Sequence, residues 1–307
     1  MSHAELPAAA PAGLTVVGCG YTGRRLWQIC RARDRDFVGT ASSDESLAGL
    51  RALGIPAVRL DLDRADARLA PEQCRDRAVV YMAPPPDTAD TDPRLRAFLA
   101  GLPALPRVLV YLSTTGVYGD TGGAVVDEET SPAPGSIRGR RRLDAEQALL
   151  AWAGERGVPL RILRVPGIYG PGRLPLERIR QGAPIVRTGD AGPGNRIHVD
   201  DLAAACLAAA DYQGLCRVFN VGDGNHASTT EYCRAVAAAA GLPPPPEVPL
   251  EELLAMVSPA MRGFLVESRR VDTSRMRTEL GFTPRYDSLE AGIAASLGTG
   301  PWDSPQL

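Results

Sequence analysis

Gly18, Gly20 and Gly23, in the stretch VVGCGYTG, are the first residues of this chain whose type and spacing bear on chemistry. They form a G-x-G-x-x-G frame between an apolar run, LTVVG, and a helical pattern, TGRRLWQICRA. The first glycine permits a tight turn, the second lets backbone approach a pyrophosphate, and the third lets helix and strand pack closely. N–H groups at the start of the helix, around Tyr21 and Thr22, favour an anion. So placed, the frame points to a bound dinucleotide; a purely structural turn is the alternative.

Two other clusters carry chemistry. Ser113 and Thr114 are adjacent hydroxyls at the end of RVLVYLS. SIRGRRRLDAE, residues 136–146, holds four arginines, of which Arg138 and Arg142 stand one helical turn apart and share a face. Such a pair can clamp a carboxylate or phosphate, or stabilise an oxyanion. The plainer reading is a solvated helix with Arg140–Asp144 and Arg142–Glu146 pairs, which leaves Arg138 unexplained.

The elements that must position these residues follow from periodicity. Short apolar runs at 14–18, 37–40, 57–60, 78–83, 107–113, 159–165 and 218–222 read as strands. Helical patterns cover 22–32, 44–53, about 138–156, 201–212 and 229–241, with PPPPE at 243–247 as rigid linker. Alternation of strand and helix implies an α/β fold, a doubly wound parallel sheet covered on both faces. The pattern loosens after 166, where a smaller lobe is expected over the sheet's carboxyl edge. The expected division is 13–166, with about 196–222, for the dinucleotide-binding domain. Segments 167–195 and 223–298 form the lobe, and 1–12 and 299–307 are tails.

At 307 residues, with 44% apolar and 23% charged residues, the chain has an ordinary globular balance. A net charge of −2 gives no reason to expect nucleic acid or an anionic membrane. No apolar run approaches 18 residues, and no signal peptide is expected at the N-terminus. Six cysteines without CxxC spacing and three scattered histidines argue against a metal site and fit reduced thiols in a cytoplasm. All 34 basic residues are arginine, as codon drift in a GC-rich genome would produce, so no lysine is available for acid–base work.

Five stretches in order, STTGVYGD, RVPGIYGPGR, RIHVDDLA, FNVGDG and RTELGFTP, resemble the extended short-chain dehydrogenase/reductases of the epimerase/dehydratase type. The resemblance spans roughly 14–296 and implies a Rossmann domain with a smaller C-terminal substrate lobe. It implies a cofactor site at Gly18, Gly20, Tyr21, Thr22, Gly23, Ser42, Asp61, Leu62, Ala83, Pro84, Ser113, Val165 and Pro166. Thr114 takes the place of the hydroxyl that polarises substrate, with Ser113 as its reserve; two hydroxyls closing a strand are the alternative.

The family's Y-x-x-x-K, counted back from Ala145-Glu146, becomes R-x-x-x-R. Arg142 stands for the lysine and Arg138 for the tyrosine. With a pKa near 13, about one arginine in a million is neutral at pH 7, so Arg138 is no general base. Tyr118, Tyr169, Asp120 and Asp144 remain as candidates for that task. Val17 replaces the first glycine of the extended frame, which resembles atypical members lacking the tyrosine.

The second strand runs into GTASSDE, without an acid at the ribose position. Ser42 there, with Arg24 and Arg25 nearby, favours NADP over NAD; solvated helix arginines are the alternative. Cys19, at the loop's helix N-terminus, is open to a redox reading or to filling the turn. Two functions follow. One is an NAD(P)-dependent oxidoreductase or epimerase-like enzyme for a small, anionic or nucleotide-linked substrate. The other is a non-catalytic dinucleotide sensor or scaffold. A homodimer through two long helices is implied by the resemblance alone.

Overall fold

Leu14–Val17 (β1) is buried at every residue and sits centrally in a sheet of seven parallel strands. The others are Phe37–Ala41 (β2), Ala57–Arg59 (β3), Ala78–Tyr81 (β4), Val108–Thr114 (β5), Leu160–Val165 (β6) and Arg217–Asn220 (β7). Their order is β7-β6-β5-β4-β1-β2-β3. Chain progression reverses between β1 and β4, which opens a crevice at their carboxyl ends. This computed structural model describes residues 13–87, 90–214 and 217–298. The expected tails, His3 and Cys216 lie outside the described residues.

One face of the sheet is covered by Tyr21–Ala32 (α1) and Asp44–Ala52 (α2), and the other by Pro93–Ala100 (α3) and Ile137–Arg156 (α4). In α1, Leu26, Ile29 and Cys30 are at most 1% exposed, as the helical spacing requires. α3 is not legible from periodicity: eight residues carry too short a pattern. Asp92 caps it by accepting from Leu95 N–H at 3.0 Å. α4 begins at Ser136, whose hydroxyl accepts from Gly139 N–H, and ends at Gly157 in the left-handed conformation.

Leu176–Arg180 (α5), Val199–Asp211 (α6) and Thr229–Ala239 (α7) follow. α6 joins α1 and α2 over the sheet. Beyond it lies a separate apolar cluster that includes Tyr169, Ile179, Tyr232, Val236, Leu289 and Ile293, joining α5, α7 and the helix Leu289–Leu297. The proline linker leads into Glu247–Val248, which pairs in parallel with Ile185–Val186.

Candidate active site

Each loop glycine occupies the environment its task needs. Gly18 has φ +81°, and a Cβ there would lie 2.8 Å from Ala83 N, so only glycine fits. A Cβ on Gly20 would meet nothing nearer than Gly18 O at 4.0 Å, leaving the backbone open to a ligand. A Cβ on Gly23 would meet Cys19 Sγ at 3.1 Å and Val16 at 3.2 Å, the close helix–strand contact. The first turn of α1 carries no acid and no side-chain cap, which suits an anion.

Beside the loop is a cavity of about 210 Å³ lined by Gly18, Thr40, Ser42, Leu60, Asp61, Leu62, Asp63, Ala83, Pro84 and Arg94. Six residues assigned to the cofactor from sequence therefore converge there. Asp61 also closes its own turn, accepting from Asp63 N–H at 3.2 Å. Arg94 carries no sequence signal, because it lies on α3; it forms a bidentate pair with Asp63 at 2.5 and 2.6 Å. Ser43 caps α2, and Asp44 turns to Arg59 at 2.6 Å, so the acids of SSDE serve the helix. The dinucleotide fits this cradle.

Several expectations need correction. Arg25 is buried and paired with Asp200 of α6 at 2.5 Å, so it holds α1 to α6 and faces no phosphate. Cys19 is buried and fills the space between Gly23 and Gly39, and burial pushes its thiol up to about 12, which favours the turn-filling reading over the redox one. Ser113 donates to Glu146 Oε1 at 2.5 Å and is buried, so its hydroxyl belongs to the interior rather than to a cofactor. Val165 is likewise buried, opposite Thr114 in the β5–β6 register. Pro166 lines a different cavity, described below.

The helix pairs of the plainer reading do not form. Asp144 is engaged by Arg96 at 2.6 Å, and Glu146 holds Arg164 of β6 in a buried pair at 2.8 Å. Arg164 also donates to Tyr118 Oη at 3.0 Å, and Tyr118 donates to Asn220 Oδ1 at 2.7 Å. Arg142 instead donates to Leu112 O at 2.7 Å and Tyr111 Oη at 3.1 Å, bracing the end of β5. Arg138 has no hydrogen bond or ion pair among the described residues. Arg138 is exposed, although the atoms crowded around its guanidinium and the neighbouring Arg142 both disfavour its charge.

None of the four candidate bases suits the task. Tyr118 is spent in the buried network, and Tyr169 is packed against Gly292 with its phenol pushed far up by burial. Asp120 accepts from Ser268 and Gly122 N–H groups, which hold it below its usual range, and Asp144 is paired. Thr114 is better placed. Its Oγ1 accepts from Gly116 N–H at 3.1 Å, which leaves its own proton to donate. A Cβ on Gly139 would lie 2.7 Å from Gly116 O, so glycine lets α4 seat its first turn against this segment.

A second cavity, about 300 Å³, lies against the apolar cluster that includes Tyr169 and Tyr232. Its lining includes Thr115, Pro166, Arg173, Arg178, Arg196, Tyr232 and Arg269. Its two acids are already paired, Asp190 with Arg187 and Glu267 with Arg269. Arg173 stacks on the Tyr21 ring at 4.0 Å, and Tyr21 donates to Pro171 O at 2.8 Å, so this cavity abuts the glycine loop.

Nearby Asp223 is buried, and burial lifts its carboxyl to about 7. The protonated acid is favoured in the fold, so its stabilisation is complete below the ordinary 3.8 and disappears as pH rises through about 7. The wild-type melting temperature should therefore fall across that window more steeply than that of Asp223→Asn. Parallel curves would show that Asp223 does not titrate there.

Comparison with known proteins agrees with this geometry. The profile of the NAD dependent epimerase/dehydratase family matches residues 14–222. The chain belongs to that family. A dTDP-L-rhamnose 4-epimerase from Burkholderia thailandensis is 30% identical over 181 residues, covering 54% of this chain and 46% of the relative. The chain spans about half the length of the first curated relatives it matches. A functionally unknown conserved protein from Silicibacter pomeroyi DSS has a solved structure 30% identical, with TM-score 0.80, covering 94% of this chain and 99% of that one. MoeE5, solved with UDP-glucose and NAD, is 23% identical with TM-score 0.74 over 94% and 98% of the chains, a likeness of fold. Among the described residues no helix is long and apolar enough to cross a membrane.

Proposed function

We propose that this chain is an NAD(P)-dependent enzyme of the epimerase/dehydratase type, acting on a hydroxyl or carbonyl of a nucleotide-linked substrate. The observation that carries the reading is the pair of abutting cavities, one at the glycine loop and one rich in arginine, with Thr114 and Thr115 at the strand end beside them. The bound nicotinamide would supply hydride chemistry. Thr114 donates its proton to the substrate oxygen and polarises it. Arg142, fixed on β5 through one nitrogen, offers its remaining donors to the ribose side. Arg178, without a partner among the described residues, suits a phosphate of the substrate. The curated relative's nucleotide-sugar name is consistent with that choice.

NADP is the cofactor this site favours. Ser42 puts no carboxylate at the end of β2, where a 2′-phosphate would be repelled. Calorimetric titration with NADP and NAD tests the reading. Micromolar binding supports it, and absence of both refutes it in favour of a scaffold. Ser42→Asp should weaken NADP at least tenfold while sparing NAD; equal effects on the two would refute the NADP preference.

A further inference from the structure

We propose that Arg94 is a cofactor-contacting residue, and that it takes the adenine ring of the dinucleotide on the flat face of its guanidinium. The inference rests on the dinucleotide reading of the cavity beside the glycine loop, and it adds a residue that the glycine frame does not specify. Arg94 lines that cavity from α3. Its Nε and Nη2 donate to the two carboxylate oxygens of Asp63 at 2.6 and 2.5 Å, and its Nη1 donates to Pro84 O at 3.3 Å. Asp63 follows β3 and Pro84 follows β4, strands that are separated in the sheet by β1 and β2. Gly18, Thr40 and Ser42, at the ends of those two middle strands, line the same cavity. Arg94 therefore ties together the two sides of the cavity, across the strand ends that carry the phosphate loop.

A guanidinium meets a ligand either through its edge or across its face. The edge is occupied here. Each of the three nitrogens already holds a protein acceptor, and the fork that would grip a phosphate grips Asp63 instead. The face remains. A planar, delocalised and weakly hydrated cation stacks well on a flat ring, and nucleic-acid bases are stacked on arginine in this way. Contacts to both Asp63 oxygens and to Pro84 O hold the plane in one orientation, so little side-chain freedom is lost when a ring settles on it. Leu60 and Leu62 give the cavity apolar surface, and Asp61 gives it an acceptor for an amino group. An adenine ring has the apolar faces and the amino group that these residues match; the 2′-phosphate, read at Ser42, has neither. The pair does little to hold the fold. The Arg94 and Asp63 side chains are 26% and 61% exposed, and ion pairs so open to water stabilise a protein little.

ADP carries the adenine but neither a 2′-phosphate nor a nicotinamide, so it isolates this contact. In calorimetric titration of the whole protein, Arg94→Met should weaken ADP binding by about tenfold. Arg94→Lys, which keeps the charge and loses the plane, should weaken it as much. NAD and NADP should weaken by the same factor as ADP. Melting temperatures of the unliganded variants should match the wild type, because the pair is open to water. Undiminished ADP binding by Arg94→Met overturns the inference. So does full retention by Arg94→Lys, which would assign a charge contact rather than a stacked one. A loss larger for NADP than for NAD would place Arg94 at the 2′-phosphate and overturn it too. A melting temperature lowered in both variants would make Arg94 a structural residue, with the same consequence. Wild-type protein that binds none of ADP, NAD and NADP would instead remove the dinucleotide reading itself, and this inference with it.

Discussion

Glu146→Ala is expected to destabilise the fold by about 3–5 kcal/mol, measured as a shift of the urea unfolding midpoint at constant slope. The carboxylate and its partner Arg164 are 2% and 6% exposed, so removing one leaves a guanidinium buried without counter-charge. The loss reaches beyond the pair. Glu146 accepts from Ser113 on β5 and from Arg164 on β6, and Arg164 carries Tyr118 and through it Asn220 on β7. Three strands and α4 are tied at one carboxylate. Glu146→Gln keeps an acceptor for Ser113 and should cost less. Replacing both partners with apolar residues of similar volume should recover much of the loss, because the desolvation of both charges disappears together. A shift below about 1 kcal/mol for the alanine variant would mean that the network is not holding α4 in place.

Gly20→Asp should abolish dinucleotide binding without unfolding the protein. The site has open space where a Cβ would go, so the side chain causes no clash. Its carboxylate would instead stand where the phosphates approach the first turn of α1. Like charges juxtaposed in a binding site cost several kcal/mol, so affinity for NADP should fall by at least about 100-fold, equivalent to about 2.7 kcal/mol. Calorimetry reads the affinity, and the melting temperature of the unliganded protein reads the fold. Retained affinity would exclude the glycine loop as the phosphate site. Gly18→Ala makes a useful contrast: it combines a positive φ with a contact to Ala83, so it should lower stability and binding together.

Much of this architecture is legible in the sequence because the informative features are local. The glycine frame, the strand periodicity and the buried stripe of α1 each lie within a dozen residues, and six residues read from the sequence as cofactor-binding line one cavity. What stays hidden is non-local. Arg25 reads as a phosphate ligand until Asp200, far along the chain, is seen to be its partner. Arg142 reads as half of a helix pair, yet its acceptors lie on β5. In SIRGRRRLDAE the natural partners by sequence are neighbours three or four positions apart. Tertiary packing redirects Arg141, Arg142, Asp144 and Glu146, and Arg140 turns back to Gly135 O, so Arg138 stands out only in three dimensions.

Tyr21 begins α1 directly after the glycine loop, and it is also the platform on which Arg173 of the arginine-lined cavity lies. A ligand that draws Arg173 toward itself therefore perturbs the first turn of the phosphate helix, and a ligand seated on that turn perturbs Arg173. Thermodynamics makes such linkage reciprocal: whatever factor the cofactor imposes on substrate affinity, the substrate imposes on the cofactor. The order in which the two are loaded, and which of them leaves last, would then depend on a single stacked aromatic–guanidinium pair.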